Sequence, residues 1–274
     1  MVDISVIIVN YNTKDLTLEC IKSIVYARPK LKYEIILIDN GSSDNSLVDI
    51  RRFKILNFDL KLRIIENDEN LGFSKANNQG IKAAVGKYIL LLNSDTKVKS
   101  GALEKLVNFA VQNPDAGVVG SKLLNVDGTL QPSVFRFPTV ARAIFQYWLG
   151  KKGILEKYVP SGDEPIKVDA VVGACLLITP KALKEVGLLD ERYFMFYEDL
   201  DYCRRVWRKG FKVYYLPTSE IFHCHGASGA KIKDSDNQWR RLIPSSKIYH
   251  GVVKHFLFNF IIWSRQKAKK LIRF

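Results

Sequence analysis

Three acidic residues lie within four positions, at Glu198, Asp199 and Asp201, directly after the aromatic stretch RYFMFY. Aromatic neighbours partly desolvate a carboxylate, which raises its pKa toward the range that a general base needs near neutral pH. The acids also precede the basic sequence RRVWRKG, and a helix N-terminus favours negative charge. This segment therefore predicts either a general base or an acidic helix start.

A further carboxylate, Asp95, follows Asn93 and Ser94 in the stretch YILLLNSDTKV, residues 88–98. The abrupt change from apolar to polar residues is typical of a buried parallel strand that ends at a binding crevice. A carboxylate at that point could bind a hard divalent cation, which could in turn hold a diphosphate. A simple Asp-Thr turn is the structural alternative.

A histidine pair, His223 and His225, flanks Cys224 in the sequence FHCHGASG. In an extended segment both imidazoles would lie on one side, where they could bind a metal. A purely structural pair is the alternative. A structural zinc site is not predicted, because its tetrahedral set needs further ligands at close spacing.

The elements that position these residues follow from alternating strand and helix patterns. Apolar runs predict strands at Ile4–Asn10, Tyr33–Asn40, Leu62–Asn67, residues 88–92 and Ala116–Leu124. Amphipathic patterns predict helices at residues 13–26, 44–56 (capped by Ser43), 74–85 and 101–113. The alternation predicts an α/β fold with a mostly parallel, Rossmann-like sheet and helices on both faces.

Ligands of such sheets bind beyond the carboxyl ends of the strands, where this sequence places Asn10, Asp39 and Asn93. No GxGxxG follows the first strand and no GxxxxGK[ST] occurs, so neither a Rossmann dinucleotide site nor a P-loop is predicted. After residue 125 the pattern becomes irregular, with long loops and one short helix at residues 140–149.

The charge is concentrated at the C-terminus. The whole chain has 42 Lys and Arg against 28 Asp and Glu, a net of +14, and residues 229–274 hold eleven Lys or Arg against two Asp, a net of +9. These cations surround the apolar octet FLFNFIIW, a combination that suits an anionic membrane surface. A helix packed on the body with a solvated basic face is the alternative, and nucleic acid is the least favoured partner.

Composition places the chain among globular proteins, since 47% of its residues are hydrophobic. We expect neither a secretory signal nor a transmembrane helix, because the longest apolar runs are short. The four scattered cysteines suggest reduced thiols in a cytoplasmic protein.

Several motifs, taken in order, resemble those of the family-two glycosyltransferases, and most of all their rhamnosyltransferase-like bacterial branch. The motifs are SVIIVNYN, IILIDNGSSDNS, ENLGFSKANNQGI, YILLLNSDT, GTLQPSVFRFPT, VVGACLLITPKALKEVGLLDERYFMFYEDLDYCRRVWRKGFKVYYLP and HCHGAS. The resemblance covers residues 3–230. It implies a GT-A fold over residues 1–235, with a nucleotide-binding half (1–125) and an acceptor-binding half (126–235), followed by a basic amphipathic helical extension (236–274).

The resemblance also implies residue roles. In the family, Asp95 would ligate a divalent metal, Mg2+ or Mn2+, with His223 as a further ligand and His225 in reserve. Asp199 would be the general base, and Glu198 would help to bind the acceptor. The implied nucleotide-binding residues are Val9, Asn10, Tyr11, Asp39, Asn40, Gly72, Phe73, Asn77, Asn93 and Ser94.

The implied activity is inverting, metal-dependent sugar transfer in cell-surface polysaccharide synthesis. The expected donor is deoxythymidine-diphosphate rhamnose, with a uridine-diphosphate hexose as the alternative. The expected acceptor is a glycan or a polyprenyl-diphosphate-linked sugar, reached from the inner face of the cytoplasmic membrane. A nucleic-acid-binding protein is the alternative from another class, and a catalytically inactive relative is disfavoured because Asp95, Asp199 and His223 are all present.

Overall fold

A computed structural model describes residues 2–224 and 235–271, with side chains described for residues 2–224 and 242–268. Over these ranges the chain forms a ten-stranded mixed sheet covered by helices on both faces.

The first part of the chain alternates strand and helix, as its sequence patterns predict. Its strands are β1 (Ile4–Asn10), β2 (Tyr33–Asn40), β3 (Leu62–Asn67), β4 (Tyr88–Asn93), β5 (Thr96–Val98) and β6 (Ala116–Leu124). Its helices are α1 (Lys14–Tyr26), α2 (Ser46–Leu56), α3 (Phe73–Ala83) and α4 (Ala102–Gln112). Strands β3, β2, β1 and β4 are parallel neighbours in that order.

Alternate residues of β1 explain the two-sided packing. Ile4, Val6 and Ile8 enter one buried cluster, while Ile7 enters the other, and all four side chains are fully buried. A strand that is apolar on both faces must be covered on both, which is why its sequence is a continuous apolar run.

The predicted cap of the second helix was wrong. Helix α2 begins at Ser46 with Asn45 as its N-cap, in the left-handed region at φ +60°. Asp44 Oδ1 accepts a hydrogen bond from the Ser46 amide at 3.0 Å, whereas the Ser43 amide donates to Asn12 Oδ1 at 2.8 Å. Ser43 therefore belongs to the preceding loop.

The second part of the chain is less regular. It comprises β7 (Leu130–Gln131), β8 (Val134–Phe135), α5 (Val140–Tyr147), β9 (Ile166–Lys167), β10 (Ala170–Val171), β11 (Cys175–Ile178), α6 (Pro180–Val186), α7 (Glu198–Arg208) and β12 (Lys212–His223). Strand β11 runs antiparallel between β4 and β6, and β12 is parallel to β6. Because β11 starts where β4 ends, Gly173 and Ala174 lie at the carboxyl ends of the parallel strands, and the Asn93 amide donates to Ala174 O at 3.0 Å.

The C-terminal extension consists of α8 (Ser235–His250) and α9 (Val252–Leu271), separated by Gly251 at φ +76°. Helix α9 packs against α5 and buries one face, which includes His255 and Ile261. It also has an exposed apolar face, on which Val253, Phe256, Leu257, Phe260 and Trp263 are between 45% and 81% exposed. Lys254 and Lys267 are exposed on the same helix. Within the described ranges, no helix is long and apolar enough to cross a membrane.

Candidate active site

A cavity of about 700 Å3 opens at the carboxyl ends of β1 and β4. The residues of the sequence prediction that line it are Val9, Tyr11, Asn40, Phe73, Asn93, Ser94, Asp95, Glu198, Asp199 and His223. Asp95 and Asp199, which are 104 positions apart in the sequence, therefore share one cavity.

Asp95 and His223 form a buried pair at the bottom of this cavity. Asp95 lies in the turn between β4 and β5 and is 1% exposed, and His223 ends β12 at 5% exposed. Antiparallel pairing of β5 with β12 places His223 opposite Thr96, so the register brings the imidazole beside the carboxylate. His223 Nε2 is 3.3 Å from Asp95 Oδ1.

Gln131 fixes the orientation of the His223 ring. The Gln131 amide nitrogen donates to Asn125 Oδ1 at 2.8 Å and to the His223 carbonyl at 3.1 Å, so its Oε1 faces His223 Nδ1 at 2.6 Å. Nδ1 must then carry a proton and donate it to Gln131. In the neutral imidazole the lone pair is therefore on Nε2, the atom that faces Asp95.

This donor set fits a divalent cation. A neutral imidazole nitrogen and a carboxylate oxygen that face each other repel unless a proton or a cation lies between them, and both atoms ligate Mn2+ or related metals. Among the described residues, however, no group of three or more His, Cys, Asp and Glu side chains is assembled. Asp95 and His223 would thus leave coordination positions for ligand oxygens, and His225 lies outside the described residues.

Asp199 is held by backbone amides on the other side of the cavity. Its Oδ2 accepts a hydrogen bond from the Gly173 amide at 3.0 Å, and its Oδ1 accepts one from Leu200 at 2.7 Å. Burial raises the pKa of Asp199, whereas these two hydrogen bonds and the positive charge of Lys157 act in the opposite direction. The carboxylate is thus more basic than usual and has a fixed orientation.

The acidic run of α7 divides into two roles. Asp199 and its neighbour Glu198 line the cavity, while Asp201 is 6% exposed and forms ion pairs with Arg204 and Arg205. Burial, and then the nearby charge of Asp199, raises the pKa of Glu198 to about 8. The prediction of an acidic helix start is confirmed, since α7 begins with these acids, and two of them also face the cavity. The general base stays a prediction.

Four of the predicted nucleotide-binding residues lie behind the cavity wall instead of lining it: Asn10, Asp39, Gly72 and Asn77. Asn10 is fully buried, donates to Asp39 Oδ1 at 2.6 Å and accepts from Thr13 Oγ1 at 2.8 Å. Thr13 does line the cavity and is 3.1 Å from Ser94 Oγ. Asn10 thus links the ends of β1 and β2 to the cavity floor.

Gly72 allows two loops to meet. It has φ +86°, and a Cβ atom here would lie 2.6 Å from the Phe194 carbonyl oxygen. That carbonyl accepts a hydrogen bond from the Phe73 amide at 2.7 Å, and Asn77 donates to the Phe73 carbonyl at 2.9 Å. Gly72 and Asn77 therefore fix the start of α3 against residues 193–197.

Residues 193–197 are also held from the C-terminal side. Phe196 and Tyr197 both have φ +71°, a conformation that costs energy for residues with a side chain. Ser245 Oγ in α8 donates to the Met195 carbonyl at 2.9 Å, and the Tyr197 ring packs against Tyr249. Helix α8 thus stabilises the segment that leads directly into Glu198 and Asp199.

The structure adds residues that the sequence patterns did not identify. These further residues line the same cavity as the predicted ones: Thr13, Asn70, Arg136, Tyr147, Leu155, Lys157, Gly173, Leu242 and Phe258. Arg136 lies within the motif GTLQPSVFRFPT, which singled out the loop without indicating a role. Lys157 and the residues of α8 and α9 had no local signal, because only tertiary packing brings them to the cavity.

A comparison with protein-family models matches residues 5–178 to the family described as glycosyl transferase family 2. The N-acetylglucosaminyl-diphospho-decaprenol L-rhamnosyltransferase of Mycobacterium tuberculosis is 28% identical over 69% of this chain and 66% of its own length, slightly under two thirds. The low-salt glycan biosynthesis hexosyltransferase Agl10 of Haloferax volcanii is 26% identical over 90% of this chain and 76% of its own length.

The fold also has solved counterparts. The mannosyltransferase PcManGT from Pyrobaculum calidifontis, solved with GDP-Man and Mn2+, superposes with a TM-score of 0.64 over 97% of this chain and 71% of that chain, at 16% identity. That likeness concerns the fold, which is the GT-A fold that the sequence motifs imply. Since the family model spans well over half of the chain and includes Asp95 within its matched region, the chain belongs to glycosyl transferase family 2, a family of sugar-transferring enzymes.

Proposed function

We propose that the protein is an inverting, metal-dependent glycosyltransferase that moves a sugar from a nucleoside-diphosphate donor to a lipid-linked or glycan acceptor. The observation that carries this proposal is the single cavity that contains the Asp95–His223 pair and the Asp199 carboxylate. Residues 1–125 would bind the donor, and residues 126–235 would bind the acceptor.

Asp95 and His223 would hold the cation, Mg2+ or Mn2+, which when bound neutralises the charge of the departing diphosphate. Residues at the ends of β1 and β2, Val9, Tyr11 and Asn40, would contact the nucleoside. The hydrogen bonds from Gly173 and Leu200 occupy one lone pair on each carboxylate oxygen of Asp199, a residue that lines the cavity. A second lone pair remains on each oxygen. Asp199 would use one of these to take the proton of the acceptor hydroxyl as its oxygen attacks the anomeric carbon.

Glu198 has a different part in this mechanism. With a pKa of about 8 it is mostly protonated at neutral pH, so it can donate a hydrogen bond to an oxygen of the acceptor sugar. Because in this mechanism the acceptor oxygen attacks the anomeric carbon directly, with no covalent sugar–enzyme intermediate, the configuration at that carbon inverts.

For the donor we propose deoxythymidine-diphosphate rhamnose. The support is the mycobacterial relative, whose name describes rhamnosyl transfer to N-acetylglucosaminyl-diphospho-decaprenol, and the same name supports a polyprenyl-diphosphate-linked acceptor. A uridine-diphosphate hexose remains the competing donor, because pocket contacts of only a few kcal/mol separate such sugars. The relative from Haloferax volcanii is named a hexosyltransferase, a term that covers both donors because rhamnose is a deoxyhexose.

We further propose that the C-terminal helices dock on an anionic membrane surface, where such an acceptor is found. The exposed apolar face of α9 continues onto the α5 region, where Ile144, Phe145, Trp148 and Leu149 are 41–62% exposed. Cations border it, since Lys247 and Lys267 lie over the rings of Phe256 and Trp263. Apolar anchors ringed by cations are what interfacial helices use. Replacing Phe256 and Phe260 by Ser should weaken sedimentation with phosphatidylglycerol vesicles, and unchanged binding would contradict the docking.

The central test is Asp199→Asn, with Asp59→Asn on an exposed loop as the matched control. Removal of the base should lower kcat by about 100- to 10,000-fold. Thermal stabilisation by donor nucleotide with Mn2+ should persist, since Asp199 faces the acceptor side. Turnover near the wild-type rate in Asp199→Asn would refute the base assignment, and the absence of any nucleotide binding in the wild type would refute the proposed function itself.

A further inference from the structure

The cavity also contains two cations that the reaction described above does not use. They are Arg136 and Lys157, the two Lys or Arg side chains that line the cavity within the described part of the chain. Neither belongs to the strands that would bind the donor: Arg136 follows β8 and Lys157 lies in the loop after α5.

Arg136 is held in place without a neutralising carboxylate. Its guanidinium lies over the Tyr158 ring at 4.1 Å from the centroid, and its Nη1 donates to the Gly153 carbonyl at 3.4 Å. Within the described ranges it forms no ion pair. A guanidinium stacked on an aromatic ring is oriented in advance and keeps N–H groups free for an anion.

Lys157 lies beside it because the two segments pair. The Val134 and Tyr158 backbones exchange hydrogen bonds of 3.2 and 3.0 Å, which places Lys157 next to Phe135, with Nζ 5.4 Å from that ring centroid. Lys157 is exposed to the cavity, and in the part of the chain that the structure describes its Nζ makes no hydrogen bond or ion pair. Its charge reaches Asp199, which places it on the acceptor side of the site.

The wall beyond these cations is apolar. Tyr147 and Leu155, with Leu242 and Phe258 from α8 and α9, complete the same cavity. Helices α5 and α9, which carry Tyr147 and Phe258, present the exposed apolar face on their other side. A cavity with two cations that form no ion pair with any described residue, beside an apolar wall, matches a ligand that has an anionic group attached to a hydrocarbon chain.

We propose that Arg136 and Lys157 bind the diphosphate of a polyprenyl-diphosphate-linked acceptor, with its hydrocarbon chain leaving along the apolar wall between α5 and α9. This assignment rests on the proposed glycosyl transfer. It places the acceptor's sugar between the cations and Asp199, so that its hydroxyl reaches the base while its diphosphate remains on the membrane-facing side. The diphosphate of the donor occupies the opposite end, at Asp95 and His223.

Farnesyl diphosphate is a suitable probe, because it has the anion and a short hydrocarbon chain and can be titrated without the donor. Lys157→Gln and Arg136→Gln should each weaken its binding by about ten- to a hundredfold, the usual effect of losing one charge-assisted hydrogen bond. Lys157→Arg should keep most of the affinity. Lys152→Gln, an exposed residue of the same loop outside the cavity lining, is the matched control and should bind as the wild type does.

The control ligands separate the possible outcomes. Farnesol should bind more weakly than farnesyl diphosphate in the wild type and equally to all variants, and nucleotide binding with Mn2+ should not change. Loss of nucleotide binding with unchanged farnesyl diphosphate binding would assign the cations to the donor and overturn the proposal. An unchanged affinity of Lys157→Gln for farnesyl diphosphate would also overturn the proposal, since this variant loses no internal contact needed for folding. The Asp199 test of the glycosyltransferase function would be unaffected by that result.

Discussion

Replacement of Gln131 by Met tests whether the Asp95–His223 pair is a metal site. Met has a similar length but cannot form the bonds through which Gln131 orients His223: 2.6 Å to Nδ1, 3.1 Å to the His223 carbonyl and 2.8 Å to Asn125. Without these hydrogen bonds the imidazole of His223 can rotate and change tautomer. Its Nε2 then no longer has to be unprotonated and directed at Asp95.

The expected loss of metal affinity follows from the position of Gln131, which contacts the proposed metal ligand His223 without binding the metal itself. Loss of a hydrogen-bonding partner of a metal-binding histidine typically weakens metal affinity by about 10- to 100-fold, which corresponds to about 1.4–2.7 kcal/mol. Because Gln131 is only 6% exposed, the folded state should also lose roughly 1–3 kcal/mol of stability.

The assay is a titration with Mn2+ in the presence of nucleoside diphosphate, followed by the electron paramagnetic resonance of free Mn2+ and therefore independent of turnover. Gln79→Met is the matched control, because Gln79 exchanges two hydrogen bonds with Asn67 away from the metal pair. If Gln131→Met binds Mn2+ as tightly as Gln79→Met and the wild type, the argument that Gln131 prepares His223 for a metal is wrong.

Two further predictions concern stability. Since the folded state holds the Glu198 proton up to a pKa of about 8 and the unfolded state releases it near 4.5, the free energy of unfolding should fall as pH rises between these values. Urea titrations at pH 5, 7 and 9 should show a smaller fall for Glu198→Gln, and equal slopes would contradict the buried acid. Gly72→Ala should cost more than Gly210→Ala in thermal melts, by at least about 1 kcal/mol. Both glycines have positive φ, but only at Gly72 would the added Cβ meet a backbone oxygen; equal losses would show that Phe194 moves away freely.

The strands that position the site could be predicted because their signal is local. The bounds of β1, β2, β3 and β6 agree with the sequence prediction at every residue, since each is an apolar run that ends at polar or turn-forming residues. The antiparallel insertion of β11 between β4 and β6 was not foreseen. Nothing in a run such as CLLI distinguishes the two directions, which depend on the path of the connecting chain.

The site itself could be predicted only in part. Asp95, Asp199 and His223 were identified by motif, but their meeting depends on the β5–β12 register and on the position of Gly173. Gln131 lies in the two-residue strand β7, within a stretch whose sequence predicts only long loops. Its contact with a histidine 92 positions away is set by tertiary structure alone. Arg136 and Lys157, which line the same cavity, were missed for the same reason.

Attachment of α8 to residues 193–197 makes the C-terminal helices part of the thermodynamics of the site. The same short segment contacts Ser245 on one side and the first turn of α3 on the other, and its positive-φ residues depend on both supports. If a ligand of the helices shifts this segment and thereby changes the affinity of the cavity for a second ligand, the second ligand must change the affinity of the first by the same factor. Binding to the C-terminal helices and binding in the cavity would then be thermodynamically coupled through residues 193–197.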